Sequence, residues 1–273
     1  NRYSAKAVLR NIELFIKEKV DLVIEFQIDD RIAPLIASRF HEAGIPFIAL
    51  GTPHPGATYY GADAYRAGLC GGRFLGKWAK QNLDGPVGEV ILVDLSRAGP
   101  LPRSRLLGIL DGVSEVLRPS TQFRVTWLEG DGLFGPSLEA IRKHLRASRS
   151  ERVLVSAIND PSAVGALRAF EEAGRAQSCA VLGHDASLVG RTELRRPLSR
   201  FVGSVAFFPE RFGQDLIRLG LDILAQKQVP PAVFGKHALI TRENVNRLYP
   251  NDVLLGTEQL DTLLLQAPRH THA

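Results

Sequence analysis

Apolar positions along this chain alternate between two spacings. Short β-branched runs of strand length recur. Between them lie longer stretches with an apolar residue every third or fourth position, the period of a helix with one buried face. Residues 11–19 predict a helix and residues 21–25 (Asp-Leu-Val-Ile-Glu) a strand. Apolar residues at 32, 35, 36 and 40 predict a helix over 32–42, ended by Gly44. Residues 45–50 predict the next strand, after which Pro53, Pro55 and Gly56 force a loop. A helix over 64–80 follows, with Asp63 as its N-cap, and Gly85-Pro86 breaks it before a buried strand over 87–93. The same alternation gives helices over 103–117, 137–146, 161–173, 188–196 and 210–226, and strands over 123–128, 152–157, 180–182, 203–206 and 238–240. The helix over 161–173 carries Asp160 as its expected cap and Pro161 at its first position.

Strands alternating with helices predict an α/β fold in which helices cover both faces of parallel sheets. This many strands in 273 residues need two such sheets, and no low-complexity linker divides them. The two lobes are therefore expected to be joined by crossing strands, with no flexible tether.

Composition narrows the class. Hydrophobic residues make up 45% and charged residues 23%, an ordinary globular balance that argues against disorder or a coiled coil. No apolar run approaches the roughly 18 residues of a membrane span, and the first residues, Asn-Arg-Tyr-Ser-Ala-Lys, hold no signal-peptide core. The net charge of +5 comes from mixed charges, and even the stretch 191–200, with four Arg, lacks the density and docking motif of a nucleic-acid surface. Cys70 and Cys179 are far apart and form no metal motif.

The segment Gly71 to Trp78 nearly spells a phosphate loop, but Trp78 stands where Ser or Thr would reach Mg²⁺. It also falls inside a predicted helix, so its glycines read as helix-packing positions. His41, His54, His184 and His237 are isolated in sequence and open no hydrolase or oxidoreductase reading. What remains are polar and aromatic residues just past strand ends, the edge where open α/β sheets bind ligands. These are Arg105, Asn159-Asp160, His184-Asp185 and Phe207-Phe208-Pro209.

An ordered series of segments carries a resemblance. Ala43-Gly44-Ile45-Pro46-Phe47-Ile48 comes first, then Gly61-Ala62-Asp63-Ala64-Tyr65-Arg66-Ala67-Gly68 and Arg105-Leu106-Leu107-Gly108. Asn159-Asp160-Pro161 through Leu167, Gly183-His184-Asp185 and Leu239-Ile240-Thr241 through Val245 complete it. Over about residues 1–250 the chain resembles type I periplasmic sugar-binding proteins of the ribose and galactose class, a fold shared with LacI-type regulators. The resemblance implies two α/β lobes closing on a small ligand in an interlobe cleft. The first lobe would hold residues 1–62 and 208–232, the second 63–207 and 233–250, with 251–273 as a tail. It implies ligand-binding roles for Arg105, Asn159 and Asp185, an aromatic stack from Phe134 or the neighbouring Leu133, and cleft positions for Phe26 and Phe207. It implies no cofactor, no metal and no catalysis. The implied function is the solute-binding component of an ABC transporter, with a permease as partner and a periplasmic or extracellular location. The alternative is the effector domain of a LacI-type regulator or other sensor, in the cytoplasm for a regulator.

The sequence departs from the family pattern in three places. Gly51-Thr52 stand where the family often has Asp-Arg, and Phe207 stands at a Gln position. Both changes remove hydrogen-bond partners, which points to a deoxy sugar, a polyol derivative or another small polar–apolar molecule. The family's opening strand–helix–strand has no counterpart before Asn1, so a missing N-terminal unit is expected. In the tail, Leu260, Leu263 and Leu264 predict a short amphipathic helix over 258–266.

Overall fold

The computed structural model describes residues 5–27, 29–117 and 122–254. The elements run α1 (Ala5–Lys17), β1 (Val23–Phe26), α2 (Ala33–Glu42), β2 (Phe47–Leu50), β3 (Thr58–Ala62), α3 (Ala64–Asn82) and β4 (Glu89–Asp94). They continue with α4 (Pro100–Leu117), β5 (Arg124–Glu129), α5 (Phe134–Ala147), β6 (Val153–Ala157), α6 (Asp160–Glu172), β7 (Cys179–Asp185), α7 (Leu188–Arg195) and β8 (Phe201–Ala206). Last come α8 (Phe212–Leu224), β9 (Ala232–Gly235), β10 (Ala238–Ile240), α9 (Val245–Leu248) and a 3₁₀ turn over Pro250–Leu254. The residues expected to form the tail helix, 258–266, lie outside the described residues.

Two compact units emerge. The first comprises Asn1–Asp63, Arg97–Pro102 and Phe207–His237, and the second the remaining segments. The sequence reading had put 97–102 and 233–237 with the second lobe. They belong to the first because β9 pairs with β3, Tyr59 opposite Ala232, and because Gly99, at φ +80°, lies against the Asp30 carboxyl. Neither β3 nor β9 was foreseen. α1 begins at Ala5, earlier than the expected residue 11.

The first unit is a four-stranded parallel sheet in the order β1-β2-β3-β9. Neighbouring residues on a strand point to opposite faces. Phe47 accordingly packs with Val8, Ile12, Ile36 and Phe40 of α1 and α2, while Ile48 packs with Tyr60, Leu216 and Leu219 beneath α8. Tyr60 donates to Asp215 of α8 at 2.7 Å, which satisfies its hydroxyl inside that layer.

The second unit is a six-stranded sheet in the order β10-β8-β7-β6-β4-β5, parallel except for the antiparallel edge pair β10–β8. β4 is buried along its whole length, as a strand covered on both faces must be. On one face lie α3 and α4, with Gly71 seated among Ile109, Leu182 and Val205. The near phosphate loop is thereby resolved: its glycines lie within α3, and Gly72, with Gly68 and Gly108 beyond the segment, lets two helix backbones touch. A Cβ on Gly72 would stand 2.2 Å from the Ile109 carbonyl oxygen, one on Gly68 1.9 Å from that of Arg105, and one on Gly108 2.2 Å from that of Tyr65. On the other face α5 and α6 pack closely, Gly165 lying against the Phe134 carbonyl.

At the starting edge of this sheet Glu89 is fully buried. It accepts from Thr126 Oγ1 at 2.6 Å, Ser148 Oγ at 2.9 Å and Arg124 Nε at 3.2 Å, and His144 Nε2 lies 2.9 Å away. Burial pushes this carboxyl up, but the bonds from Arg124, Thr126 and Ser148 outweigh it and hold the group at about 2.

Two outcomes follow. Gly72→Ala is expected to destabilise the protein by about 1–3 kcal/mol or more through overpacking. Gly135→Ala in α5, where a Cβ meets nothing within 4 Å, should be neutral or slightly stabilising; thermal unfolding of the two variants checks the contrast. Because the folded Glu89 pKa lies below its unfolded value, its contribution is complete above about pH 4.5 and lost as pH falls toward 2. Glu89→Gln should lower stability at neutral pH by about 1–3 kcal/mol and flatten the acid limb of the stability curve.

Candidate functional site

Five parallel strands bring their C-terminal ends to one edge of the second unit. The register sets Asp94 of β4 opposite Glu129 of β5, Val93 opposite Ala157 of β6, and Asp185 of β7 opposite Ala206 of β8. The loops and helix starts that follow these ends form the rim of that edge and carry Arg105 and Asn159, beside Asp185 at the end of β7.

Arg105, near the start of α4, reaches across this rim. Its Nη1 donates to the Ile158 carbonyl at 2.7 Å and lies 3.3 Å from Asp185 Oδ1. The Arg105 side chain is 15% exposed and that of Asp185 41%, so the carboxylate is the more accessible member of the pair, although burial raises its pKa against the pull of Arg105. The Gly68 contact with the Arg105 backbone fixes where this arginine starts.

Asn159 is the N-cap of α6, a role the sequence reading gave to Asp160. Its Oδ1 accepts from the Ser162 amide at 3.0 Å, and its Nδ2 donates to the Gly132 carbonyl at 2.9 Å. That second bond ties the loop before α5, and hence the position of Phe134, to the start of α6. Phe134 itself is the half-buried first residue of α5.

Asp160 turns inward and is fully buried. Its Oδ2 accepts from the Ser187 amide at 2.6 Å and the Ser187 hydroxyl at 2.9 Å, and its Oδ1 from Ser204 Oγ at 2.6 Å. Burial and the nearby Asp185 push this carboxyl up to about 8, against the pull of the Ser204 and Ser187 bonds. His184 is also fully buried and has its Nδ1 2.8 Å from the Ala157 carbonyl, a bond that joins β7 to the end of β6. Burial, with Arg105 adding to it, lowers its pKa to about 3, so the ring is neutral and donates through Nδ1. It is a structural residue of the sheet.

The sequence reading missed one part of the rim. Asp94 is buried, accepts from the Leu95 amide at 2.8 Å and pairs with Arg103 Nε at 3.2 Å. Arg103 in turn stacks over Trp127 at 4.5 Å. Burial raises the Asp94 carboxyl, opposed by the Leu95 bond and Arg103. The signal was present: Asp94 directly ends the run Val-Ile-Leu-Val, where the strand-end rule applies as it does to Asp185.

The two remaining expected residues lie in the first unit. Phe26 ends β1 and is 58% exposed, its ring resting on Gly51, whose φ is +81°. Phe207 follows β8 and is buried. Beside Phe26 a compact polar group closes the strand ends. Thr52 Oγ1 donates to the Gln27 carbonyl at 2.6 Å, His54 Nδ1 lies 2.8 Å from the Thr52 carbonyl, and His54 Nε2 lies 3.0 Å from Glu25 Oε2. Gln27, Thr52 and His54 are all buried. The Thr52 hydroxyl is thus engaged by backbone.

The second unit's rim offers a guanidinium and a partly exposed carboxylate at Arg105 and Asp185. Hydroxyl groups match this set, since each can donate to the carboxylate and accept from the guanidinium. Among the described residues no group of three or more His, Cys, Asp or Glu side chains is placed to hold a metal ion. No described helix is long and apolar enough to cross a membrane.

No curated protein matches the chain. Solved structures share its fold. An Actinobacillus succinogenes ABC transporter periplasmic solute-binding protein with bound D-allose is 18% identical, with 90% of this chain and 85% of that chain covered at a TM-score of 0.76. A Bacillus halodurans ABC transporter solute-binding protein with bound myo-inositol is 19% identical, with 91% and 84% covered at 0.76. A Mycobacterium smegmatis protein in complex with β-D-fucofuranose is 22% identical, with 97% and 85% covered at 0.75. The model of the periplasmic binding protein domain matches residues 1–228, and on that match the chain belongs to the periplasmic binding protein domain family.

Proposed function

We propose that this chain is the solute-binding component of an ABC transporter and takes a small hydroxylated solute, a sugar or polyol, on the C-terminal edge of the second unit. The carrying observation is the Arg105–Asp185 pair, held at 3.3 Å on that edge with the carboxylate as its more accessible member. In this reading Asp185 accepts from solute hydroxyls while Arg105 donates to them. Asn159 contributes what its capping bonds leave of its amide, and Phe134 stacks on the sugar face.

The solved neighbours support this reading through what they hold: an aldose, a cyclitol and a deoxy sugar. Binding without turnover is the proposed activity, a permease the proposed partner, and the periplasm or cell exterior the proposed location.

Thermal unfolding against D-allose, D-fucose, myo-inositol and glycerol tests the reading. A solute at 100 times its Kd stabilises by about 2.7 kcal/mol, about 5–10 °C for a chain of this size. No shift with any sugar or polyol at millimolar concentration rejects the proposal. For a solute that does bind, Asp185→Ala should weaken the affinity by at least about 10- to 100-fold, the loss of a charged hydrogen-bonding partner. Titration calorimetry of that variant gives the answer, and an unchanged Kd removes Asp185 from the site.

A further inference from the structure

The turn that presents Asp185 has an unusual backbone. Asp185 has φ +91° and Ala186 φ +45°, two consecutive non-glycine residues in a region that L-residues disfavour. Such a conformation persists only where its surroundings over-determine it. Here both polar groups of the Ala186 backbone are held. Its amide donates to Ser204 Oγ at 2.9 Å, and that hydroxyl donates onward to the buried Asp160 at 2.6 Å. Its carbonyl accepts from Arg191 Nη1 at 2.6 Å. The first support comes from the sheet and α6, the second from α7.

Arg191 owes its placement to the end of the described chain. Asp252 grips it in a bidentate pair, Nε to Oδ2 at 2.6 Å and Nη2 to Oδ1 at 2.8 Å. Its guanidinium also lies 4.1 Å from the centre of the Tyr249 ring. Arg195, one helical turn on, fastens the same segment: it bonds Asp252 Oδ2 at 2.8 Å, Asn246 Oδ1 at 2.8 Å and the Tyr249 carbonyl at 3.1 Å. The Asp252 side chain is 10% exposed, so the pair is shielded from solvent screening.

We propose that residues 246–252 act as a strap that positions Asp185 for the solute: Asp252 orients Arg191, Arg191 holds the Ala186 carbonyl, and the left-handed turn stays closed. Asp252 and Arg191 are positioning residues that touch no solute. This rests on the reading of Asp185 as a solute contact, so the test has one arm that needs no solute. In that arm, NMR-detected hydrogen exchange of the Ala186 and Ser187 amides is compared between the parent chain and Asp252→Ala, with the Val90 to Val93 amides of β4 as internal reference. The strap predicts a fall in protection of at least tenfold at 186 and 187 with the reference amides unchanged. Protection at 186 and 187 within twofold of the parent overturns it. If Asp252→Ala unfolds, Asp252→Asn and Arg191→Lys serve instead. Both keep the side chain's size but break the bidentate geometry, and Asp252→Glu should restore protection in part.

The second arm is calorimetric titration with D-allose, D-fucose and myo-inositol. A Kd weakened at least tenfold in Asp252→Ala, together with the loss of protection, supports the strap acting on solute binding. Lost protection with an unchanged Kd overturns the link to the solute. A parent chain that binds none of the three rejects the binding-site reading, while the exchange arm still decides whether the strap holds the turn.

Discussion

One buried carboxyl organises the functional edge of the second unit. Asp160 accepts three hydrogen bonds from two serines, one on each of two other segments, and so ties the start of α6 to the turn after β7 and to β8. A buried network of this kind is stabilising only when every member is satisfied. The surrounding glycines show how tightly it is enclosed. A Cβ on Gly183 would stand 2.2 Å from one Asp160 oxygen, and one on Gly190 2.3 Å from the other. Glycine is required at both positions by the carboxyl, and the serines are where they are because it must be paired.

Two further constraints position the rest of the rim. The contact of α3 with α4 fixes the backbone of Arg105, and Asn159 links the loop before α5 to the cap of α6. The polar groups that face solvent are thereby carried by segments whose own backbones are held from behind. The opposite edge of the sheet has its own anchor in Glu89, so both ends of β4 carry a buried carboxylate: Glu89 at the start and Asp94 at the end.

Much of this architecture was legible in the residues. The long periodic segments gave the alternation and therefore two helix-covered sheets. Arg105, Asn159 and Asp185 could be set on one edge because parallel strands end together, while the 3.3 Å approach of Arg105 to Asp185 is seen only in the structure. What the sequence hid has physical reasons. β3 (Thr-Tyr-Tyr-Gly-Ala) and β9 (Ala-Val-Phe-Gly) are short, end on or contain glycine, and follow proline-rich stretches, so local signals read as loop while the pairing between them is non-local. Asn159 and Asp160 are adjacent and both suited to capping; only the tertiary partners Ser187 and Ser204 decide which one turns inward. The strap was invisible because Arg191 and Asp252 are 61 residues apart and each reads alone as a surface charge.

The seam between α3 and α4 has a consequence for how such a chain can change over generations. Opposite Gly68 and Gly72 stand the carbonyl oxygens of Arg105 and Ile109, and opposite Gly108 that of Tyr65. An oversized side chain in a core can be rescued by trimming its neighbour, but here the neighbour is main chain and has nothing to trim. No second substitution on the facing helix makes room for a methyl at these positions. The seam is therefore closed to the paired, compensating replacements by which helix interfaces ordinarily drift, and glycine there should outlast wide divergence in the residues on either side.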